Sequence, residues 1–337
     1  MTPLVLALAA ALALPSLAAA SLRFTEPRLH PRDAATTPTY VRKVESALVG
    51  LKVRARADAQ SSARLGVHRF ASSIVFDPRG YAVTVSYALM DALEIEAVRR
   101  DGRTVAAQVV GFDLDSGLGV VKLDGDGFTA ATLGQSSDVR EAMLTGTVSV
   151  DEDNDLVHAT GAVRSVRRFS ASWEYMLERA FIVAPAISSW GGSALVNERG
   201  EVVGIGSLRL GEKPYTNMFI PIDRFVPVKD EVIATGRVQS RAPRPWLGLY
   251  TSADDDGSLT VDGFSPIGPA AQAGFRRGDR IVSVNGVDVK SQEDFYETLW
   301  RHRAGEVIKV AVRRQDRVMV IPVHSVDRHR ALTGGRP

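Results

Sequence analysis

Ser189-Trp190-Gly191-Gly192-Ser193-Ala194-Leu195-Val196-Asn197 is a run of mostly small residues that passes directly into an apolar triplet. Ala194 to Val196 reads as a short strand, and Val202 to Ile205 reads as its partner across a turn at Arg199-Gly200. The same alternation of strand and turn recurs upstream. Ser73 to Phe76 leads into Asp77-Pro78-Arg79-Gly80, with Pro at the second turn position and Gly at the fourth, and Tyr81 to Val85 follows. Glu94 to Val98 and Thr104 to Val110 flank Asp101-Gly102, a hairpin signal. Gly119 to Leu123, Met143 to Val150, Thr160 to Val166 and Phe181 to Ala184 continue the series. Short strands roughly ten residues apart point to a mostly β protein, a sandwich or barrel. The chain from 39 to 232 has room for two six-stranded barrels. Ahead of them, Thr39 to Leu51 carries Val41, Val44, Ala47 and Leu48 at helical spacing, which predicts a short helix.

At 337 residues the chain favours two domains over one. A polar connector, 233–244, runs through Arg241-Ala242-Pro243-Arg244 and predicts a linker. Residues 245–327 form a second unit, with strand-like runs at Thr260 to Phe264, Arg280 to Val284, Ile308 to Val312 and Arg317 to Val323. Ala270 to Gly274 predicts a short helix stopped by Gly, and Gln292 to Arg301 a longer one with Phe295 and Leu299 at i and i+4. The basic tail 328–337 is expected to be disordered, and 21–38, with Pro27, Pro31 and Pro38, an irregular lead-in.

Composition excludes several chemistries. Hydrophobic residues make up 45% and charged residues 24%, an ordinary globular balance, and a net charge of +2 gives no grip on nucleic acid. Without cysteine there is no thiol catalysis, disulfide or Cys-based zinc site. The acidic cluster Asp151-Glu152-Asp153-Asn154-Asp155 lacks the glycine and distal Glu of a calcium loop and reads as a solvated hairpin, as Asp254-Asp255-Asp256-Gly257 reads as a turn. No His-Glu-x-x-His and no phosphate-cradling loop is present, so no metal or cofactor is expected. Residues 1–20 hold the apolar run Leu4 to Leu14, a break at Pro15-Ser16, and Leu17-Ala18-Ala19-Ala20 for a signal peptidase, although Met1-Thr2-Pro3 carries no Lys or Arg. They read as a cleaved export signal or as a retained anchor. Either reading places the remainder outside the cytoplasm, periplasmic or secreted, with the membrane involved only if the anchor is retained.

Taken in order, these motifs resemble the HtrA/DegP-like family, trypsin-fold serine proteases with a C-terminal PDZ domain. Gly80-Tyr81-Ala82-Val83-Thr84-Val85-Ser86-Tyr87-Ala88-Leu89 fills the family's histidine segment. Ser116-Gly117-Leu118-Gly119-Val120-Val121-Lys122-Leu123 fills its aspartate segment, and the quoted run from Ser189 to Asn197 its nucleophile segment. Trp246-Leu247-Gly248-Leu249 stands where the PDZ carboxylate-binding loop belongs, and Ala273-Gly274-Phe275-Arg276-Arg277-Gly278-Asp279-Arg280-Ile281 follows the PDZ consensus. The resemblance covers about residues 39 to 327. It implies a trypsin-like domain over 39–232 and a PDZ domain over 245–327.

Residue by residue, the resemblance departs from a working protease. Triad chemistry needs a hydroxyl nucleophile, an imidazole base and an orienting carboxylate. Those positions hold Gly191 (Trp190 if the register slips by one), Tyr87 and Gly117. The expectation is an inactive homologue, a pseudoprotease. The alternative is an active serine endopeptidase with a relocated site drawing on Ser188, Ser189 or Ser193, with His68 or His158 approaching the cleft. What the resemblance retains is peptide binding. A partner's C-terminus adds as a strand beside the second PDZ helix, its carboxylate on the backbone N–H groups around Gly248, with Leu247 and Leu249 lining an apolar pocket. Phe295 and Leu299 either line that pocket or belong to the core. The expected partners are polypeptides with exposed C-termini, unfolded proteins and active protease relatives, and the family's assembly implies a homotrimer or mixed oligomer.

Overall fold

The fold is taken from a computed structural model that describes residues 38–254 and 257–334. The expected signal and most of the lead-in, with His30, Asp255, Asp256 and the last three residues, lie outside that range. A short helix α1 (Thr39–Val44) opens it, followed by a single 3₁₀ turn. The first barrel comprises β1 (Leu48–Ala55), β2 (His68–Asp77), β3 (Tyr81–Val85), β4 (Ala92–Arg99), β5 (Thr104–Asp113) and β6 (Leu118–Leu123). Helices α2 (Gln60–Leu65) and α3 (Ser86–Leu89) sit in its connections. The second comprises β7 (Leu144–Val150), β8 (Leu156–Ala171), β9 (Tyr175–Ala184), β10 (Ala194–Val196), β11 (Val202–Leu210) and β12 (Thr216–Pro221). Both close in the same way: β1-β2-β3-β6-β5-β4 is repeated as β7-β8-β9-β12-β11-β10. Closure removes the free edges that an open sheet would present.

After α4 (Lys229–Thr235) come β13 (Pro245–Trp246), β14 (Leu249–Ala253), β15 (Leu259–Phe264), β16 (Arg280–Val284), β17 (Val287–Asp288), α5 (Gln292–Leu299), β18 (Val307–Arg314), β19 (Arg317–His324), β20 (Val326–Asp327) and α6 (Arg328–Thr333). The sheet β14-β15-β16-β18-β19, with β17 on β16, packs against α5 over a core that includes Leu247, Leu249, Phe295 and Leu299. A 3₁₀ turn at Pro269–Ala271 takes the place of the expected helix from Ala270 to Gly274.

Local turn chemistry sits where the sequence puts it. Gly80 closes the Asp77 turn at φ +90°, its N–H donating to the Asp77 carbonyl at 2.9 Å. The Asp151–Asp155 segment forms the β7–β8 turn, where the Asp151 carboxylate accepts from the N–H groups of Asp153 and Asp155. Three expectations need correction. The helix from Thr39 stops at Val44, and Leu48 to Leu51 begin β1, where Val49 pairs with Ser73 on one side and Arg99 on the other. A short apolar run does not separate helix from strand by period, and two waiting neighbours decide it. The linker 233–244 is not free: Thr235 ends α4, Gly236 accepts from Phe112 N–H at 2.9 Å, and Arg241 pairs with Asp113 at 3.0 Å. The described part of the tail is helical, with Asp327 capping α6 and Arg328 buried. Strand β12 was not anticipated from the sequence.

Candidate functional site

Three loops bring the triad positions together between the barrels. The one-turn α3 follows β3 and carries Tyr87. The β5–β6 turn carries Gly117, whose N–H donates to Asp113 O at 2.9 Å. The β9–β10 loop carries Gly191, tied across the cleft by Ser72 N–H donating to Gly191 O at 2.8 Å. A Cβ built on Gly191 lies 3.1 Å from Tyr87 Oη. Gly191 and Tyr87, the positions that the resemblance assigns to nucleophile and base, therefore face each other at contact distance. Tyr87 is half-buried and gives its hydroxyl proton to Ser207 O at 2.8 Å. Burial pushes its phenol well above the ordinary range, with a hydrogen bond from Trp190 opposing. A phenol so held does not accept a proton at neutral pH.

The carboxylate position is filled by another group. A Cβ on Gly117 meets Tyr175 Oη at 3.1 Å, and the Tyr175 hydroxyl donates to Ser116 O at 2.6 Å. Tyr175 is buried, which raises its phenol as well. Gly192, at φ +76°, must be glycine, since a Cβ would fall 1.8 Å from Ser72 O. Trp190 lies beside Arg209, whose guanidinium carbon is 4.7 Å from the indole centroid. Ser193 is buried and donates to Trp190 O, while Ser188 is exposed. None of the described histidines hydrogen-bonds to Ser188, Ser189 or Ser193. His68 begins β2 and is exposed. His158 lies across from Val148 on β8, and burial lowers its pKa.

The PDZ loop is the second site. Leu247, Leu249, Phe295 and Leu299 are all fully buried in one core cluster, so none of the four presents an open pocket lining, the expected role of Leu247 and Leu249 included. Gly248 takes φ +78°, and a Cβ there would come 2.6 Å from the Gly268 Cα, so glycine is required by packing between two backbone segments. Trp246 belongs to the two-stranded β13–β20 sheet that ties the domain to the tail. The loop's N–H groups converge on one carboxylate, that of Glu174. Leu247 N–H donates to Oε2 at 3.1 Å and Leu249 N–H to Oε1 at 2.8 Å. Glu174 sits in the turn between β8 and β9, on the barrel side, and is fully buried. Burial raises its carboxyl to about 7, against the N–H donors and the charge of Arg328, which lower it. Sequence reading missed Glu174, Tyr175 and Tyr296. An acid between Trp173 and Tyr175 is a weak signal, since turn acids are ordinarily solvated.

Two closed barrels of one strand order, with triad positions facing each other between them and a PDZ sheet behind, define a trypsin-fold protein with a C-terminal peptide-binding module. Matching models are the trypsin-like peptidase domain over residues 71–205 and the PDZ domain over 245–324. The chain is 28% identical over 335 residues to "Serine endoprotease DegS" of Escherichia coli K12, covering 90% of this chain and 91% of that one. It is 28% identical over 260 residues to "Probable periplasmic serine endoprotease DegP-like" of Halomonas elongata, and it spans 53% of that relative's length. Among solved structures, the HtrA-type protease AlgW with a decapeptide matches with a TM-score of 0.56 at 21% identity, covering 86% of this chain and 98% of that one. The serine endoprotease from Yersinia pestis matches at 0.55 and 22% identity, covering 86% and 96%. The chain belongs to the HtrA family.

Proposed function

We propose that this HtrA-family chain is exported and acts without proteolysis, holding polypeptides through its PDZ domain as a chaperone-like holder, adaptor or regulator of active relatives. The observation that carries this reading is the triad itself: a phenol committed to Ser207 O, a glycine whose space is taken by Tyr175, and a glycine with no hydroxyl. Removing one triad member in a working protease forfeits most of the rate, leaving roughly 10³–10⁴ over water, and here all three are replaced. The export signal and the domain limits 39–232 and 245–327 belong to the same proposal.

The test is incubation of purified protein with casein and with a fluorophosphonate probe. The expected outcome is no cleavage and no labelled serine. A second reading, an active endopeptidase with a displaced serine, is favoured by the names of the relatives, which are endoproteases. Labelling at Ser188 or Ser189 would establish it and remove the first.

A further inference from the structure

The carboxylate in the PDZ loop belongs to a longer segment that imitates a bound ligand. Strand addition requires two things of a peptide: a carboxylate on the loop's N–H groups and main-chain bonds at alternate residues along the neighbouring strand. The β8–β9 turn supplies both. Glu174 places its side-chain carboxylate on Leu247 N–H and Leu249 N–H. Two residues earlier in the turn, Ser172 O accepts from Thr251 N–H at 3.0 Å, and Thr251 lies two residues beyond Leu249 on β14. The other wall of the groove, α5, closes over the same segment. Tyr296 Oη donates to Ala171 O at 2.6 Å and accepts from Glu174 N–H at 3.1 Å. Farther along, Ser170 donates to Glu293 at 2.6 Å and Arg168 pairs with Glu297 at 2.6 Å. Met176, on β9, packs into the PDZ core.

Building on the peptide-binding reading above, we infer that Ala171–Glu174 is an internal pseudo-ligand of the PDZ groove, and that a polypeptide C-terminus binds only by displacing it. Glu174 stands at the place of a ligand's last residue, and Ser172 at the place two before it. The competitor must offer a free terminal carboxylate, which alone replaces the two bonds from Leu247 and Leu249, and an extended backbone to pair with Thr251. Because covalent connection keeps the turn at high effective concentration, wild-type affinity for a free peptide is low. Burial of Ala171 and Glu174 within the fold, rather than a flexible tether, makes the competition stringent.

The test uses the full chain and a fluorescein-labelled decapeptide ending in Ala-Ala-Val, as free acid and as C-terminal amide. Glu174→Gln keeps the shape of the side chain but replaces one of the two accepting oxygens with an NH2 group, which cannot accept from the loop N–H groups. Glu174→Ala removes the ligand mimic altogether. The expected result is that Glu174→Ala binds the free-acid peptide at least tenfold more tightly than wild type, with Glu174→Gln between them and the amide bound by none. Saturating wild type with the free acid should also speed hydrogen exchange of the Glu174 amide. Equal affinity of all three proteins would overturn the pseudo-ligand while leaving the groove as a peptide site. If no folded protein of the three binds either peptide, the pseudo-ligand and the peptide-binding reading both fall, and the casein assay above still stands independently.

Discussion

The barrel cleft and the PDZ groove differ in what stands at their key positions. In the cleft, Gly191 carries no side chain, and a Cβ built on it points at Tyr87, 3.1 Å from its hydroxyl. In the groove the chemistry survives and is occupied, with the loop N–H groups on Glu174. Two adjacent residues, Glu174 in the β8–β9 turn and Tyr175 at the start of β9, reach the two regions. Tyr175 takes the space beside Gly117, and Glu174 takes the carboxylate loop. On the reading proposed above, a site lost by substitution keeps its backbone frame, whereas a site blocked by its own chain remains available to a competitor.

The largest expected effect lies in the cleft frame. Gly192→Ala puts a Cβ 1.8 Å from Ser72 O at φ +76° and should cost about 4 kcal/mol or more in urea unfolding, since strain and a backbone clash act together. A loss under about 1 kcal/mol would mean that the frame relaxes, and that the cleft is not held by its original backbone.

Next is the pH response of the groove. Docked Glu174 has its carboxyl raised to about 7, while a released turn returns it to the ordinary carboxylate value near 4.5. The docked form therefore holds the proton more tightly. Docking is fully favoured below the released value, weakens as pH rises from about 4.5 to 7, and is level above. The groups that face Glu174 are the N–H donors of Leu247, Gly248 and Leu249, the Tyr296 hydroxyl from α5 and Arg328 from the tail. Tyr296 is itself raised by burial and stays neutral over this range. Peptide affinity measured by fluorescence anisotropy should rise on the order of a hundredfold from pH 4.5 to 8 in wild type and stay flat in Glu174→Gln. A wild-type profile as flat as the variant's would separate Glu174 from the gate.

The smallest effect joins the two regions. Tyr175→Phe leaves Ser116 O without its buried donor and should cost about 1–3 kcal/mol in the same unfolding measurement. Peptide affinity should rise only slightly, because the bonds of Glu174 itself remain.

Much of this molecule was legible before any coordinates. Turns at Asp77–Gly80 and Asp101–Gly102 and strands such as Tyr81–Val85 and Ala194–Val196 follow from local propensity, which acts over a few residues. The residues at the positions that the resemblance assigns to the triad, Tyr87, Gly117 and Gly191, were legible too, since that needs only their identity in a recognisable order. Leu48 to Leu51 misled because a strand gripped on both sides carries no alternation of exposed and buried residues. Arg328 misled because a basic tail looks solvated until α6 folds it against the domain.

Sequence alone determined the architecture of trypsin-like barrels and PDZ domain, since it is written in residue types and their spacing. The tertiary structure alone decided that the peptide groove is filled from within, because Glu174 and Leu249 are 75 residues apart and only the packing of barrel against sheet brings a carboxylate to within 2.8 Å of the waiting N–H. Hydrogen bonds of that range depend on the closure of whole domains, and no local pattern in the chain encodes them.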